Sequence, residues 1–338
     1  MHVDISAFAP ASESAPATSD VIIRSQHVTK RFDRFTAVDD VSLDIHRGEV
    51  FGLIGHNGAG KSTLFKMMLG LLTPSAGSIH IAGESVSGSG ARHVRRRIGY
   101  LPENVALWDN LSGIETLRFF ARLKQVEASS CAPLLDRVGL GDAGTRPVRA
   151  YSKGMRQRLG FAQALLGQPQ VLFLDEPTTG LDPHAIHFFW DTLAELRAQG
   201  LTIVLTSHIL AELQHRVDRV AVMTNGRLQA LGNMLTLREQ FDLPLKILVR
   251  LNPGAEDQAV ARLLRELPPS LASTAGRDES GGVLLEASRA KKMPLLQHLL
   301  QASDLVADVQ VEEPSLEDMF FGRHTDTAAR DRNQPEAQ

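Results

Sequence analysis

One stretch constrains this chain more than any other. Residues 50–54, Val-Phe-Gly-Leu-Ile, form a short apolar run that turns through Gly55, His56, Asn57, Gly58, Ala59, Gly60, Lys61, Ser62 and Thr63 into the helix-like Leu64-Phe65-Lys66-Met67. A strand that enters a helix through glycines aims consecutive backbone N–H groups, and the positive end of the helix dipole, at one point. Such a point favours a phosphate. Gly58 and Gly60 let the backbone curl without side-chain clashes, Lys61 is long enough to reach β- and γ-phosphates, and the Ser62 hydroxyl suits a Mg²⁺ ligand. A nucleoside triphosphate with Mg²⁺ is the expected ligand.

A second run fits the first. Residues 171–176, Val-Leu-Phe-Leu-Asp-Glu, are an apolar strand ending in two carboxylates. Burying carboxylates beside such a strand is costly unless a cation or a reaction uses them. Asp175 at the strand end can hold the Mg²⁺ shell, and Glu176 can point at an attacking water.

Around these runs, β-branched segments alternate with longer helical patterns at 41–45, 50–54, 64–72, 78–82, 116–123, 155–166, 171–174, 184–198 and 202–205. That alternation predicts an α/β fold with a largely parallel sheet, in which 171–174 and 202–205, apolar on both faces, are central strands. The pattern changes near Leu243 and Pro244. Beyond it, strand, helix, strand, strand, helix and strand patterns (246–251, 256–267, 271–275, 282–287, 295–301, 305–311) predict the split βαβ of a small ferredoxin-like α+β domain. The expected organisation is a tail over 1–20, an ATP-binding domain over 21–240 with a helical subdomain over about 104–165, an accessory domain over 245–322 and a second tail over 323–338.

Composition narrows the function. With 36 basic and 39 acidic side chains the formal charge is -3, which does not suit a protein that neutralises nucleic-acid phosphates. Cys131 is the single cysteine, so neither an internal disulfide nor a thiolate metal cage is available. No apolar run approaches the ~18 residues a membrane-spanning helix needs, and the Ala/Ser/Pro-rich start lacks the basic and apolar regions of a secretory signal.

A third motif, Tyr151-Ser152-Lys153-Gly154-Met155-Arg156-Gln157-Arg158, precedes a helical run; Ser152 reads as its N-cap, and Gly154 leaves the first amides open to an anion. Together with the phosphate loop, the Asp175–Glu176 pair, Gly180-Leu181-Asp182 and His208, in that order, it makes the chain similar to the ATP-binding subunits of ABC transporters over about residues 21–232.

The resemblance implies a P-loop ABC ATPase cassette working as a head-to-tail dimer. Each ATP would lie between one subunit's phosphate loop and the signature residues Ser152 and Gly154 of the other. It further implies Phe32 as the aromatic ring stacked on adenine, His208 as the γ-phosphate switch, Glu176 as the residue that polarises water, and Asp182 as a coupling residue across the interface. Phe32 also admits a core reading. Two positions depart from the family pattern. Glu103 stands where a Mg²⁺-sensing glutamine is usual, though a carboxylate can still ligate Mg²⁺, and Lys153 and Met155 replace a commoner glycine and glutamine.

These departures resemble the branch that serves ABC-2-type permeases, and segments 95–107, 110–113 and 119–124 resemble its members that act in copper-centre maturation of nitrous oxide reductase. The implied partners are a second copy of the chain, a multispan membrane permease and a periplasmic accessory protein, with no nucleic acid. The implied location is peripheral, on the cytoplasmic face of the inner membrane. Two alternatives stand beside this reading: a soluble ATPase of the same class, and a regulatory module that holds ATP without turnover. A single cassette without heptads argues against the first, and intact Glu176 and His208 argue against the second. Leu107 and Trp108, apolar residues in a polar turn, are read as presented to a partner in preference to tucked into a core.

Overall fold

The computed structural model describes residues 20–312 apart from 210–211, 215, 242–243, 253–264, 266, 269, 278–281 and 302–304. Both expected tails, save Asp20, and nearly all of the helix expected over 256–267 lie outside the described residues. The chain divides into two compact units. One comprises the described residues through Ser207 with Met223–Gln229; the other comprises His208–Val222 and the described residues from Ala230 onward.

In chain order the first unit contains β1 (Val21–Phe32), β2 (Phe35–His46), β3 (Val50–Ile54), α1 (Lys61–Met68), β4 (Ala76–Ile81), β5 (Glu84–Ser85), α2 (Ala91–Arg97), β6 (Ile98–Leu101), α3 (Gly113–Lys124), α4 (Cys131–Arg137), α5 (Lys153–Leu165), β7 (Val171–Asp175), α6 (Pro183–Ala198) and β8 (Thr202–Ser207). Strands β3, β8, β7 and β6 lie side by side and parallel. The six-stranded order is β10-β9-β3-β8-β7-β6, in which β9 (Arg219–Thr224) and β10 (Arg227–Gly232) meet at the Met223–Gln229 turn of this unit.

The parallel core follows from residue type. Every residue of β3 and β8, and the first four of β7, is buried, as expected for strands covered on both faces. Burying a Val, Leu, Ile or Phe side chain contributes about 1.5–3 kcal/mol, so these three strands carry much of the unit's stability. Helix α1 is fixed to the sheet by Phe65, whose ring lies edge-on to Phe173 at 5.2 Å and near Tyr100 at 6.3 Å. Helix starts are set by capping: Ser112 and Glu115 form a capping box at α3, and Asp182 caps α6 ahead of Pro183.

A second sheet, antiparallel and ordered β2-β1-β4-β5, escaped the sequence reading, which found only its 41–45 and 78–82 pieces. The reason lies in the register. The β1–β2 ladder shifts at four places, and His27, Asp33 and Asp40 have positive φ. Each bulge resets the alternation of inward and outward side chains, so no uninterrupted period of two is left to detect.

The second unit contains α7 (Met234–Phe241), β11 (Leu245–Leu251), β12 (Ser273–Arg277), β13 (Val283–Ala287), α8 (Lys292–Gln301) and β14 (Val306–Glu312). Its sheet has the order β12-β13-β11-β14 with antiparallel pairs throughout, the arrangement a split βαβ produces. Leu295 and Leu299, four residues apart on α8, pack with Ile247, Val249, Val283 and Leu285 in its core.

Candidate nucleotide site

Strand register builds the site. Ile54 of β3 pairs with Ser207 of β8, Thr206 with Asp175 of β7, and Leu101 of β6 with Leu174. Four parallel strands therefore end together, and the phosphate loop, Glu176 and Glu103 all leave from this one edge. In open α/β sheets the carboxyl ends of strands are where ligands bind.

The loop from Gly55 to Gly60 runs directly into α1, whose N-cap Gly60 supplies no side-chain cap. The first amides of the helix are therefore left for a ligand. Gly58 and Gly60 have φ of 84° and 99°, and a Cβ on Gly60 would strike the Ala37 carbonyl oxygen of β2. His56, Asn57 and Gly58 are exposed at the mouth, Ala59 is buried beneath it, and the Gly226 amide donates to the Ala59 carbonyl at 3.0 Å. A Gly60→Ala chain should melt about 2 kcal/mol less stable and bind MgATP at least about tenfold more weakly. Unchanged melting and nucleotide titration would show that the cradle does not need this backbone.

Lys61 is only 6% exposed and donates from Nζ to the carbonyls of Gly55, at 2.5 Å, and His56, at 3.2 Å. Burial holds its ammonium below the usual lysine range, while the Glu176 and Asp175 carboxylates pull the other way. The charge thus stands desolvated at the loop and close to both carboxylates, where a phosphate would repay its lost hydration. Ser62 is exposed and Thr63 half-buried, so the Ser62 hydroxyl is open to a cation.

Asp175 and Glu176 are both half-buried. Glu176 has φ of 47°, a left-handed backbone that non-glycine residues adopt at a cost of about 1–2 kcal/mol, and such strain gathers at functional sites. Burial, then the Asp175 charge, pushes the Tyr100 phenol above its ordinary range. Tyr100 therefore lies within electrostatic reach of Asp175, a neighbour the sequence reading did not single out. The residues present fit Mg²⁺ and a triphosphate: an uncapped helix start, a cradle a Cβ would fill, an open hydroxyl and a carboxylate at a strand end.

Phe32 is 46% exposed at the tip of the β1–β2 hairpin, which excludes the core reading. The Lys30 ammonium lies 5.2 Å from its ring centroid, and Phe35, its register partner, is also exposed. Ala37 of the same hairpin adjoins Gly60, so two exposed aromatic rings stand on the strand pair that borders the phosphate loop. Phe35 was overlooked because a lone Phe beside Asp33 and Arg34 carries no pattern. Glu103, exposed, lies two residues beyond β6, and His208, also exposed, directly follows β8.

The signature residues are gathered elsewhere. Ser152 accepts from the Met155 amide at 3.2 Å and caps α5, and among the described residues a side chain at Gly154 would meet only Leu181, at 3.8 Å. Gln157, buried, donates to the Pro177 carbonyl at 2.9 Å, and the Lys153 side chain lies beside Gly180. The start of α5 is thereby tied to the segment after Glu176, while Ser152 and Gly154 keep open space in front of them. Asp182 is exposed and accepts from the Ala185 amide at 2.8 Å, so within one chain its work is to cap α6.

A glycine-rich loop between a buried parallel strand and a helix, with paired carboxylates at the adjoining strand end, defines a P-loop nucleotide-binding cassette. A family model described as ABC transporter matches residues 38–179. The chain is 35% identical over 302 residues to the uncharacterized ABC transporter ATP-binding protein YhcH of Bacillus subtilis, covering 89% of this chain and 95% of that one. It is 39% identical over 259 residues to ATP-binding cassette sub-family A member 7 of Rattus norvegicus, covering 75% of this chain; it spans only 12% of that relative's length. A solved ATP binding subunit of an ABC transporter superimposes with a TM-score of 0.61 at 33% identity, over 65% of this chain and 93% of that one. This chain belongs to the ABC transporter family of ATP-binding subunits, and is an ATPase cassette of that family.

Proposed function

We propose that the chain is the ATP-hydrolysing motor of a transporter, driving a separate membrane permease. The observation that carries this reading is the convergence of Lys61, Asp175 and Glu176 at one edge of the parallel sheet, two carboxylates within electrostatic reach of a desolvated ammonium. In the mechanism, the amides at the start of α1 and the Lys61 ammonium hold the β- and γ-phosphates. Ser62 and Asp175 would hold Mg²⁺, which when bound would neutralise charge on the phosphate oxygens. Glu176 orients the attacking water, with His208 contacting the γ-phosphate and Glu103 completing the ion's surroundings. Phe32, with Phe35 beside it, stacks on the adenine. Mg²⁺-dependent phosphate release by the full chain tests this directly; no release by the wild-type chain with or without its permease ends it.

The open space before Ser152 and Gly154 supports a head-to-tail dimer in which α5 completes the partner's site. Among the described residues no helix is long and apolar enough to cross a membrane, which agrees with a motor held at the cytoplasmic face by a permease. The docking surface we assign lies at Trp108. It is 46% exposed, edge-on to Phe119 at 4.8 Å and tilted against Phe120 at 5.7 Å on α3, with Leu123 exposed on the same helix. Trp108→Ala should reduce copurification with the permease by about tenfold, in line with truncation of an aromatic anchor, and leave nucleotide affinity unchanged. A sharp fall in melting temperature with permease binding intact would make Trp108 a core residue instead.

For cargo, the likeness of segments 95–107, 110–113 and 119–124 supports copper-centre maturation of nitrous oxide reductase, with a periplasmic accessory protein as a further partner. An ABC-2 exporter for another cargo is the alternative. Copurification from mild detergent separates them by whether that periplasmic partner is recovered.

A further inference from the structure

We propose that Thr206 is a positioning residue for ATP hydrolysis, its single hydroxyl holding both Asp175 and Glu176 in their working orientations. The inference rests on the reading of Glu176 as the group that orients water.

Thr206 lies one residue from the end of β8, opposite Leu53 of β3 on one side and Asp175 of β7 on the other. It is 1% exposed. A hydroxyl buried there has lost its water and must be satisfied within the protein. It has one proton to give and two lone pairs to receive. The proton goes to Asp175 Oδ1 at 2.7 Å, and a lone pair receives the Glu176 amide at 2.9 Å. One oxygen atom therefore sets the carboxylate of the proposed Mg²⁺ ligand and the backbone of the proposed water-orienting residue.

The second bond matters because of the backbone it holds. At φ of 47°, Glu176 sits in a region that persists only where its surroundings enforce it. Thr206 Oγ1 anchors the amide on one side of that φ, and the Thr179 amide, donating to the Glu176 carbonyl at 3.2 Å, anchors the other. Release of the amide lets φ relax, and a rotation at the Cα swings the whole carboxylate. Packing alone does not call for threonine here, because valine has the same branched shape and suits a buried strand equally well. Thr202, on the same face at the other end of β8, makes the contrast. Its hydroxyl accepts from the Gly48 amide at 3.0 Å and holds a turn.

The test compares Thr206→Val, which keeps shape and loses the hydroxyl, with Thr206→Ser, which keeps the hydroxyl. In the full-length chain Thr206→Val should lower kcat by roughly 10- to 100-fold, leave the KM for ATP within about threefold, and raise the Mg²⁺ concentration giving half-maximal MgATP binding. Thr206→Ser should restore kcat to within about threefold. Placed on Glu176→Gln, Thr206→Val should cost almost nothing more, since residues acting as a unit are not additive. A Thr206→Val chain that melts and hydrolyses like wild type overturns the assignment. So does a stable Thr206→Ser chain no more active than Thr206→Val. If Thr206→Val does not fold, Thr206→Ala against Thr206→Ser decides on the same criteria. Failure of the parent reading looks different: there Glu176→Gln itself hydrolyses at the wild-type rate, whatever Thr206 does.

Discussion

Glu176→Gln should bind MgATP with wild-type affinity and lose roughly 10²–10³-fold in turnover. Glutamine matches glutamate in size, and the bond from the residue 176 amide to Thr206 Oγ1 belongs to the backbone, so the strained turn is kept. What disappears is the negative charge proposed to polarise water. Binding depends on Lys61 and the α1 amides, which the substitution does not touch. Lys61→Ala should instead lose both, because it removes the one ammonium buried at the loop, bonded to Gly55 and His56. Nucleotide titration and phosphate release on the two variants check this. Equal turnover by Glu176→Gln and wild type would remove Glu176 from the chemistry.

Mixed dimers carry the second large effect. Homodimers of Ser152→Arg or of Lys61→Ala should each retain under about a hundredth of wild-type hydrolysis, since one blocks every signature and the other empties every phosphate loop. A dimer with one subunit of each kind keeps one intact loop facing one intact signature. It should recover up to about half of wild-type turnover if the two sites act independently. The structure gives the reason to expect complementation. Ser152 is exposed, and among the described residues a side chain at Gly154 would meet only Leu181. Co-expression with two affinity tags and phosphate release on the doubly purified species is the measurement. Recovery absent in verified mixed dimers would break the head-to-tail arrangement.

Legibility differed from one part of the site to another for physical reasons. The phosphate loop could be read because its chemistry is local: strand, glycines, lysine and helix start are contiguous, and backbone geometry alone makes them an anion site. Asp175 and Glu176 stood out because carboxylates after four buried apolar residues conflict with burial. Phe32 was ambiguous in sequence, since an isolated phenylalanine is apolar whether it packs or stacks; its exposure on a hairpin tip excludes the packed alternative. The hairpin itself was hidden by bulges.

The sequence by itself determined the α/β class, the phosphate loop, the Asp175–Glu176 carboxylate pair and the helix cap at Ser152, all of which follow from neighbours along the chain. The tertiary structure alone decided what lies beside them. That includes the edge at which four strands end in register, Tyr100 against Asp175, Gln157 on Pro177, and Thr206 between Asp175 and the Glu176 amide. Thr206 is 30 residues from Glu176 and sits in the run Thr-Ile-Val-Leu-Thr-Ser, where its β-branched shape reads simply as strand. Its hydroxyl acquires a role only when parallel pairing of β7 and β8, strands far apart in the chain, brings it to Asp175 and the Glu176 amide.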